Sequence, residues 1–139
     1  MYLVDTNVWL ERLLDQARSA EVGRFLAQIP TDQLLMSDFT LHSIGIILDR
    51  LGQRVVLLQL VDDVFVRGRV TLLSVQPEEM HRVVTAMDRF NLDFDDAYQY
   101  VAAELSNAAI VSFDGDFDRT AQGRQTPLDV LSAAGAPDA

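Results

Sequence analysis

The strongest constraint on the fold is the alternation of short apolar runs with longer stretches of helical period. Residues 2–4, 34–37, 70–75 and 108–113 read as strands. Between them, 8–14, 17–29, 38–51, 53–67, 77–90 and 95–106 read as helices, with apolar residues three or four apart. The strand segments are apolar throughout rather than alternating, the pattern of strands buried on both faces. Strands separated by helices pair in parallel. The expected fold class is therefore α/β, with a central parallel sheet of four to five strands flanked by helices in three layers. Punctuation agrees: Pro30-Thr31-Asp32 breaks one helix, Gly52 and Gly68 close two more, and Pro77-Glu78-Glu79 opens the next. Asp95 or Asp96 is expected to cap the 95–106 helix, and residues 133–139 to fray. In 139 residues there is no repeat, linker or low-complexity block, so one domain over 1–139 is expected.

Ligands of such sheets bind beyond the carboxyl ends of the strands, and the acids gather there. Asp5 follows the first strand and Asp114 the last. Asp93, Asp95 and Asp96 open a helix, and Asp116 and Asp118 follow Asp114 closely. Each has a purely structural explanation. Asp5 or Asp96 can be a helix cap, and Asp114 and Asp116 can be turn residues around Gly115. Together they point elsewhere, because neighbouring first and last strands would bring three remote segments to one rim. Crowded carboxylates must raise a pKa or bind a cation. Oxygen ligands without cysteine, in segments without histidine, favour Mg²⁺ or Mn²⁺ over zinc. An ion there could orient water and offset charge developing on a phosphodiester.

Charge limits the partners. The chain carries 21 Asp and Glu against 11 Lys and Arg, a net −10. Such a protein is a poor non-specific polyanion binder, so a nucleic acid needs local arginines or bound cations. All 11 basic residues are arginine. The missing lysine excludes Schiff-base chemistry and a P-loop. It also disfavours a phosphoaspartate receiver or a haloacid-dehalogenase-type phosphatase, both of which rely on one. With no cysteine there are no disulfides. No apolar stretch approaches the roughly 20 residues that span a bilayer, and no secretory signal pattern is present. The expectation is a cytoplasmic protein without a membrane partner.

"LVDTNVWL", "DDAYQYVAAE" and "IVSFDGDF", in that order over nearly the whole chain, resemble the PIN-domain family, and most closely its small VapC-type toxins. The resemblance implies a PIN-like α/β/α fold and Mg²⁺- or Mn²⁺-dependent endoribonuclease activity on RNA. It also implies a homodimer and a cognate antitoxin protein, as in type II toxin–antitoxin pairs. On this resemblance Asp5, Asp96 and Asp114 are the metal ligands. Asp116 is a further catalytic acid, and Thr6, Asn7 and Ser112 are supporting polar residues. One position departs from the family pattern. A glutamate usual early in the third helix is replaced by Ser43, in "SDFTLHSIGIILDRL". Serine contributes no charge, so a single metal ion and reduced activity are expected. A catalytically weak or inactive RNA- or protein-binding module stays open as the alternative. His42 beside it can face the site or the core. Asp38 can lean in, and Asp49, nearly two turns on, is out of reach. Apolar residues of 38–67, among them Ile46, Ile47, Leu57, Leu58 and Leu60, belong to the core or to a contact with a second copy or an antitoxin helix.

Overall fold

Three of the four strands are short and apolar because both of their faces are covered; the edge strand at Thr71–Leu73 is the exception to the expected burial, with Thr71 and Leu72 exposed. A computed structural model describes residues 1–135. In β1 (Tyr2–Val4) Leu3 and Val4 are both fully buried, yet they enter different cores. The same split separates Leu35 from Met36 in β2 (Leu34–Ser37), and Ile110 from Val111 in β4 (Ala109–Val111). Successive side chains of a strand point to opposite faces, so an unbroken apolar run serves two cores at once. Each such side chain contributes about 1.5–3 kcal/mol on burial. With β3 (Thr71–Leu73) the strands form a four-stranded parallel sheet in the order β3-β2-β1-β4. A fifth strand is reduced to a single parallel bridge between Val111 and Gln125.

Seven α-helices lie among the described residues. One core holds Val8 and Trp9 of α1 (Thr6–Leu13), Phe25 of α2 (Ser19–Gln28), and Ile44 and Leu48 of α3 (Asp38–Arg50). It also holds Leu60 of α4 (Arg54–Val61). The Trp9 indole is buried with its N–H satisfied by the Val4 carbonyl at 3.2 Å. The other core holds Val83 and Ala86 of α5 (Met80–Phe90), and Ala97 and Val101 of α6 (Phe94–Leu105). The helix α7 (Pro127–Ala133) returns to the first core through Val130 and Leu131.

The elements differ from the expected ones in instructive places. The single helix expected over 53–67 is α4 followed by a π turn at Asp62–Val66. Pro77–Glu79 forms a 3-10 turn that leads into α5. The N-cap of α6 is Asp93, whose side chain accepts from the Asp96 N–H at 2.9 Å, rather than Asp95 or Asp96. The reason lies in the preceding turn. Asn91 ends α5 in the left-handed region (φ 53°), which asparagine tolerates, and the chain re-enters a helix at once. The region expected to fray begins with the last residue of a capped helix. Thr126 and Asp129 form a reciprocal capping box around Pro127, while residues 136–139 lie outside the described residues.

Candidate metal centre

The pairing of β1 with β4 decides where the acids go. Those two strands are neighbours, and the Asp5 N–H continues their ladder by bonding the Val111 carbonyl at 2.9 Å. Asp5 and Ser112 therefore leave the sheet side by side. Asp5 is 7% exposed, and its carboxylate accepts from four donors. The Thr6 N–H at 2.8 Å and Gln99 Nε2 at 2.9 Å reach Oδ1, while Ser112 Oγ at 2.8 Å and Asn7 Nδ2 at 3.4 Å reach Oδ2. Asp5 thus caps α1 while buried. Burial pushes its pKa up, and the Asp114 charge adds to the rise, against the lowering by Gln99, Ser112 and Thr6.

The other acids open outward from this base. Asn7 Oδ1 accepts the Phe113 N–H at 3.1 Å, and Ser112 Oγ accepts the Asp114 N–H at 2.9 Å, which turns the chain after β4. Asp114 then caps a 3-10 turn (Gly115–Arg119) by accepting the Asp116 N–H at 2.9 Å. Asp96 projects from the first turn of α6. Because Asp93 does the capping, the Asp96 carboxylate is left for other work. Asp96, Asp114 and Asp116 each offer one oxygen within 4.8 Å of the others, all three half-buried. The Asp96 pKa is pushed up to about 7, first by burial and then by the charges of Asp93, Asp114, Asp5 and Asp116. One counter-charge is built in: Arg119 Nη1 meets Asp116 Oδ1 at 3.1 Å. Its other nitrogens donate to the Phe90 and Asn91 carbonyls. Closely spaced carboxylates without sulfur or imidazole, with burial first and mutual repulsion second raising the Asp96 pKa to about 7, match what a hard divalent cation requires.

The structure sorts the expected residues. Asp5, Asp96, Asp114 and Asp116 share one electrostatic site, with Asp5 as the hydrogen-bonded base and the other three as the close trio. Thr6, Asn7 and Ser112 all bond into the network around them. Ser43 is half-buried on α3, one turn beyond Thr40. Asp95 is exposed on α6, and Asp118 meets Arg124 at 3.4 Å. Asp49 pairs with Arg54 at 2.7 Å on the surface. Asp38 turns to the Tyr98 hydroxyl at 2.8 Å, and His42 is exposed rather than in either core. Of the apolar residues of 38–67, Leu60 is buried and Leu57 packs against the core, while Ile46 and Leu58 are exposed.

Sequence reasoning missed Gln99. Its side chain is 1% exposed and joins three segments: Nε2 donates to Asp5 and, at 2.8 Å, to Thr40 Oγ1, and Oε1 accepts from Ser37 Oγ. The available signal was a glutamine three residues after Asp96 on a helix whose neighbouring positions, Ala97, Val101, Ala102 and Ala103, are apolar and small. A lone polar residue there is buried only if paired.

Residues 2–123 match the family model described as "PIN domain". No curated protein matches the chain. Among solved structures, the chain is similar to a toxin–antitoxin complex from Klebsiella pneumoniae, with TM-score 0.72, 19% identity, and coverage of 91% of this chain and 98% of the other. It is similar to VapC20 of Mycobacterium tuberculosis, described as a sarcin-ricin loop cleaving toxin, with TM-score 0.71, 19% identity, and coverage of 100% and 98%. FitAcB from Neisseria gonorrhoeae gives TM-score 0.70, 19% identity, and coverage of 92% and 99%. At these identities the likeness is one of fold. No helix among the described residues is long and apolar enough to cross a membrane.

Proposed function

The chain belongs to the PIN domain family, and from that premise we propose that it is a Mg²⁺- or Mn²⁺-dependent endoribonuclease. The observation that carries this reading is the meeting of Asp96, Asp114 and Asp116 within 4.8 Å, over the buried Asp5, at the carboxyl end of a parallel sheet. Asp96, Asp114 and Asp116 would hold the cation, with the Asp5 charge directly behind them. The bound ion would supply positive charge to a phosphodiester and orientation to water. The chain's own work is preorganisation. Asn7 and Ser112 fix the turn that carries Asp114, Gln99 fixes Asp5, and Asp96 would hold a cation in its deprotonated form.

We further propose that the protein acts as the toxin of a type II toxin–antitoxin pair, as a homodimer with a cognate antitoxin. Two observations support this: the fold likeness to a toxin–antitoxin complex and to a VapC toxin, and the exposed apolar side chains Leu51, Val55, Leu58 and Val66 between the end of α3 and the π turn. A second reading rests on Ser43, an uncharged residue where the family pattern has a glutamate. In that reading the protein binds RNA or protein and cuts weakly or not at all. The deciding experiment incubates purified protein with mixed RNA, with and without Mn²⁺, beside Asp114→Asn. Cleavage that needs Mn²⁺ and is lost in the variant supports the nuclease. RNA binding with no cleavage at any Mg²⁺ or Mn²⁺ level favours the second reading.

A further inference from the structure

One exposed feature beside the acids has no part in the fold. Phe94 occupies the first turn of α6 and is 49% exposed, an unusual place for a large aromatic side chain. Its ring lies 6.1 Å from that of Tyr98, one turn on, and Tyr98 in turn lies 6.5 Å from Phe39 of α3. The three rings are tilted to one another rather than packed flat. With Asp38 and His42 they line an open cleft of about 370 Å³, within the size range of small-ligand sites. Tyr98 is pinned in place: its hydroxyl accepts the Val75 N–H at 2.9 Å and donates to Asp38 at 2.8 Å. The cleft wall is thus rigid, while its outer ring, Phe94, is free on one side.

We infer that this cleft holds an unpaired nucleobase of the RNA, stacked on Phe94 and Tyr98, next to the phosphate presented to the acids. The inference rests on the nuclease reading above and adds a subsite for one base, built by named residues of α6 and α3. Three observations lead there. First, one helix carries both sites. Phe94 and Asp96 leave the first turn of α6 on different sides, but cleft and acids share the carboxyl end of the sheet: Asp38 follows β2, Asp5 follows the neighbouring β1, and Gln99, next to Tyr98, bonds both Ser37 and Asp5. A nucleotide bound at the acids has its neighbour's base within reach of the cleft. Second, a chain with net charge −10 gains little from phosphate attraction. Stacking carries no charge, so an acidic surface does not oppose it, and aromatic side chains take bases in single-stranded RNA in this way. Third, the cleft is not purely apolar. Asp38 has one oxygen engaged, by Tyr98 and by the Phe39 N–H at 2.8 Å. The other is available to a base amino group, as is His42 on the exposed face of α3.

The test measures binding of a short single-stranded oligoribonucleotide carrying 2-aminopurine to the full chain without divalent metal, by anisotropy and by base fluorescence. The matching double-stranded RNA is the control. Wild type is expected to bind the single strand, quench the 2-aminopurine, and bind the duplex more weakly. Phe94→Ala is expected to lose about tenfold in affinity, within the range for one stacked base, and to lose the quenching. Phe94→Trp restores both and Phe94→Leu, which keeps apolar area but no ring, does not. Mn²⁺ affinity stays at the wild-type value in all three. Unchanged affinity and quenching in Phe94→Ala, with RNA still bound, overturns this inference and leaves the nuclease reading intact. A wild type that neither binds nor cuts RNA removes both. A shift of Phe94→Ala from dimer to monomer in sedimentation, with quenching retained, shows instead that the cleft seats a second copy of the chain.

Discussion

Gln99 Nε2 donates to Asp5 Oδ1 across 2.9 Å in a fully buried contact that links α6 to the end of β1. The same amide reaches Thr40 and Ser37, so one uncharged side chain joins the carboxyl ends of β1 and β2 to the start of α3. Gln99→Leu keeps the approximate volume and removes every one of these bonds. Buried oxygens of Asp5, Thr40 and Ser37 are then left short of partners, at about 1–3 kcal/mol for each group that water cannot reach. Urea unfolding is expected to show a loss of about 2–4 kcal/mol, and Mn²⁺ binding is expected to weaken with it. A variant as stable as wild type would mean that the network contributes nothing net.

Neutralising Asp5 and neutralising Asp96 are expected to have opposite effects on the metal-free protein. Asp5 accepts from four donors, and an asparagine there would turn an N–H₂ group toward two of them. Asp5→Asn is expected to lower the melting temperature. Asp96 faces four other carboxylates, so Asp96→Asn removes repulsion and is expected to raise it. Both variants should lose the further rise that Mn²⁺ gives wild type. Thermal melts with and without Mn²⁺ check this directly, and equal shifts of one sign would contradict it.

The pH dependence has a definite sign. Folding raises the Asp96 pKa from 3.8 to about 7 and raises that of Asp5 as well, so the fold binds these protons more tightly than the unfolded chain. The Asp96 contribution favours the metal-free fold below the ordinary aspartate range and is lost as pH rises through about 7, and that of Asp5 has the same sign. The stability difference between Asp96→Asn and wild type should therefore widen from pH 5 to pH 8. Protons and cation compete for the same oxygens, so stabilisation by Mn²⁺ should grow over that interval. Denaturant melts at several pH values measure both trends.

How much was legible depended on whether the signal was local. Tyr-Leu-Val before Asp5 and Ala-Ile-Val before Ser112 could be read because a strand buried on both faces needs every residue apolar. The convergence of Asp5 with Asp114 followed from a single assumption, that the first and last strands are neighbours, and the sheet order bears that out. The cap of α6 was misplaced because three aspartates stand within four residues. Only the left-handed backbone at Asn91 selects Asp93. Gln99 carried a local sign of burial but none of its partners, which lie 94, 62 and 59 residues away. The capping box of α7 could have been read from Thr126-Pro127-Leu128-Asp129, a local pattern that reading the end of the chain as frayed passed over.

Ser43 supplies a test by addition. It lies one helical turn beyond Thr40, whose hydroxyl already touches the Asp5 network. Ser43→Glu puts a further carboxylate on that side. Cation affinity grows with ligand charge, so Mn²⁺ binding is expected to tighten by about three- to tenfold. RNA cleavage is expected to rise with it, while the metal-free protein becomes less stable at neutral pH. Unchanged binding would place position 43 outside the reach of the cation.

The central claim is that Asp96 of α6 and Asp114 and Asp116 of the turn after β4 form one cation site, with Asp5 behind them. Calorimetric titration of Mn²⁺ into the full chain tests it most directly, beside Asp96→Asn and Asp114→Asn, with circular dichroism confirming that both variants fold. The account predicts one bound Mn²⁺ in wild type and none at the same concentrations in either variant. Wild-type binding retained by a folded Asp114→Asn, or two tight ions in the native chain, would contradict it.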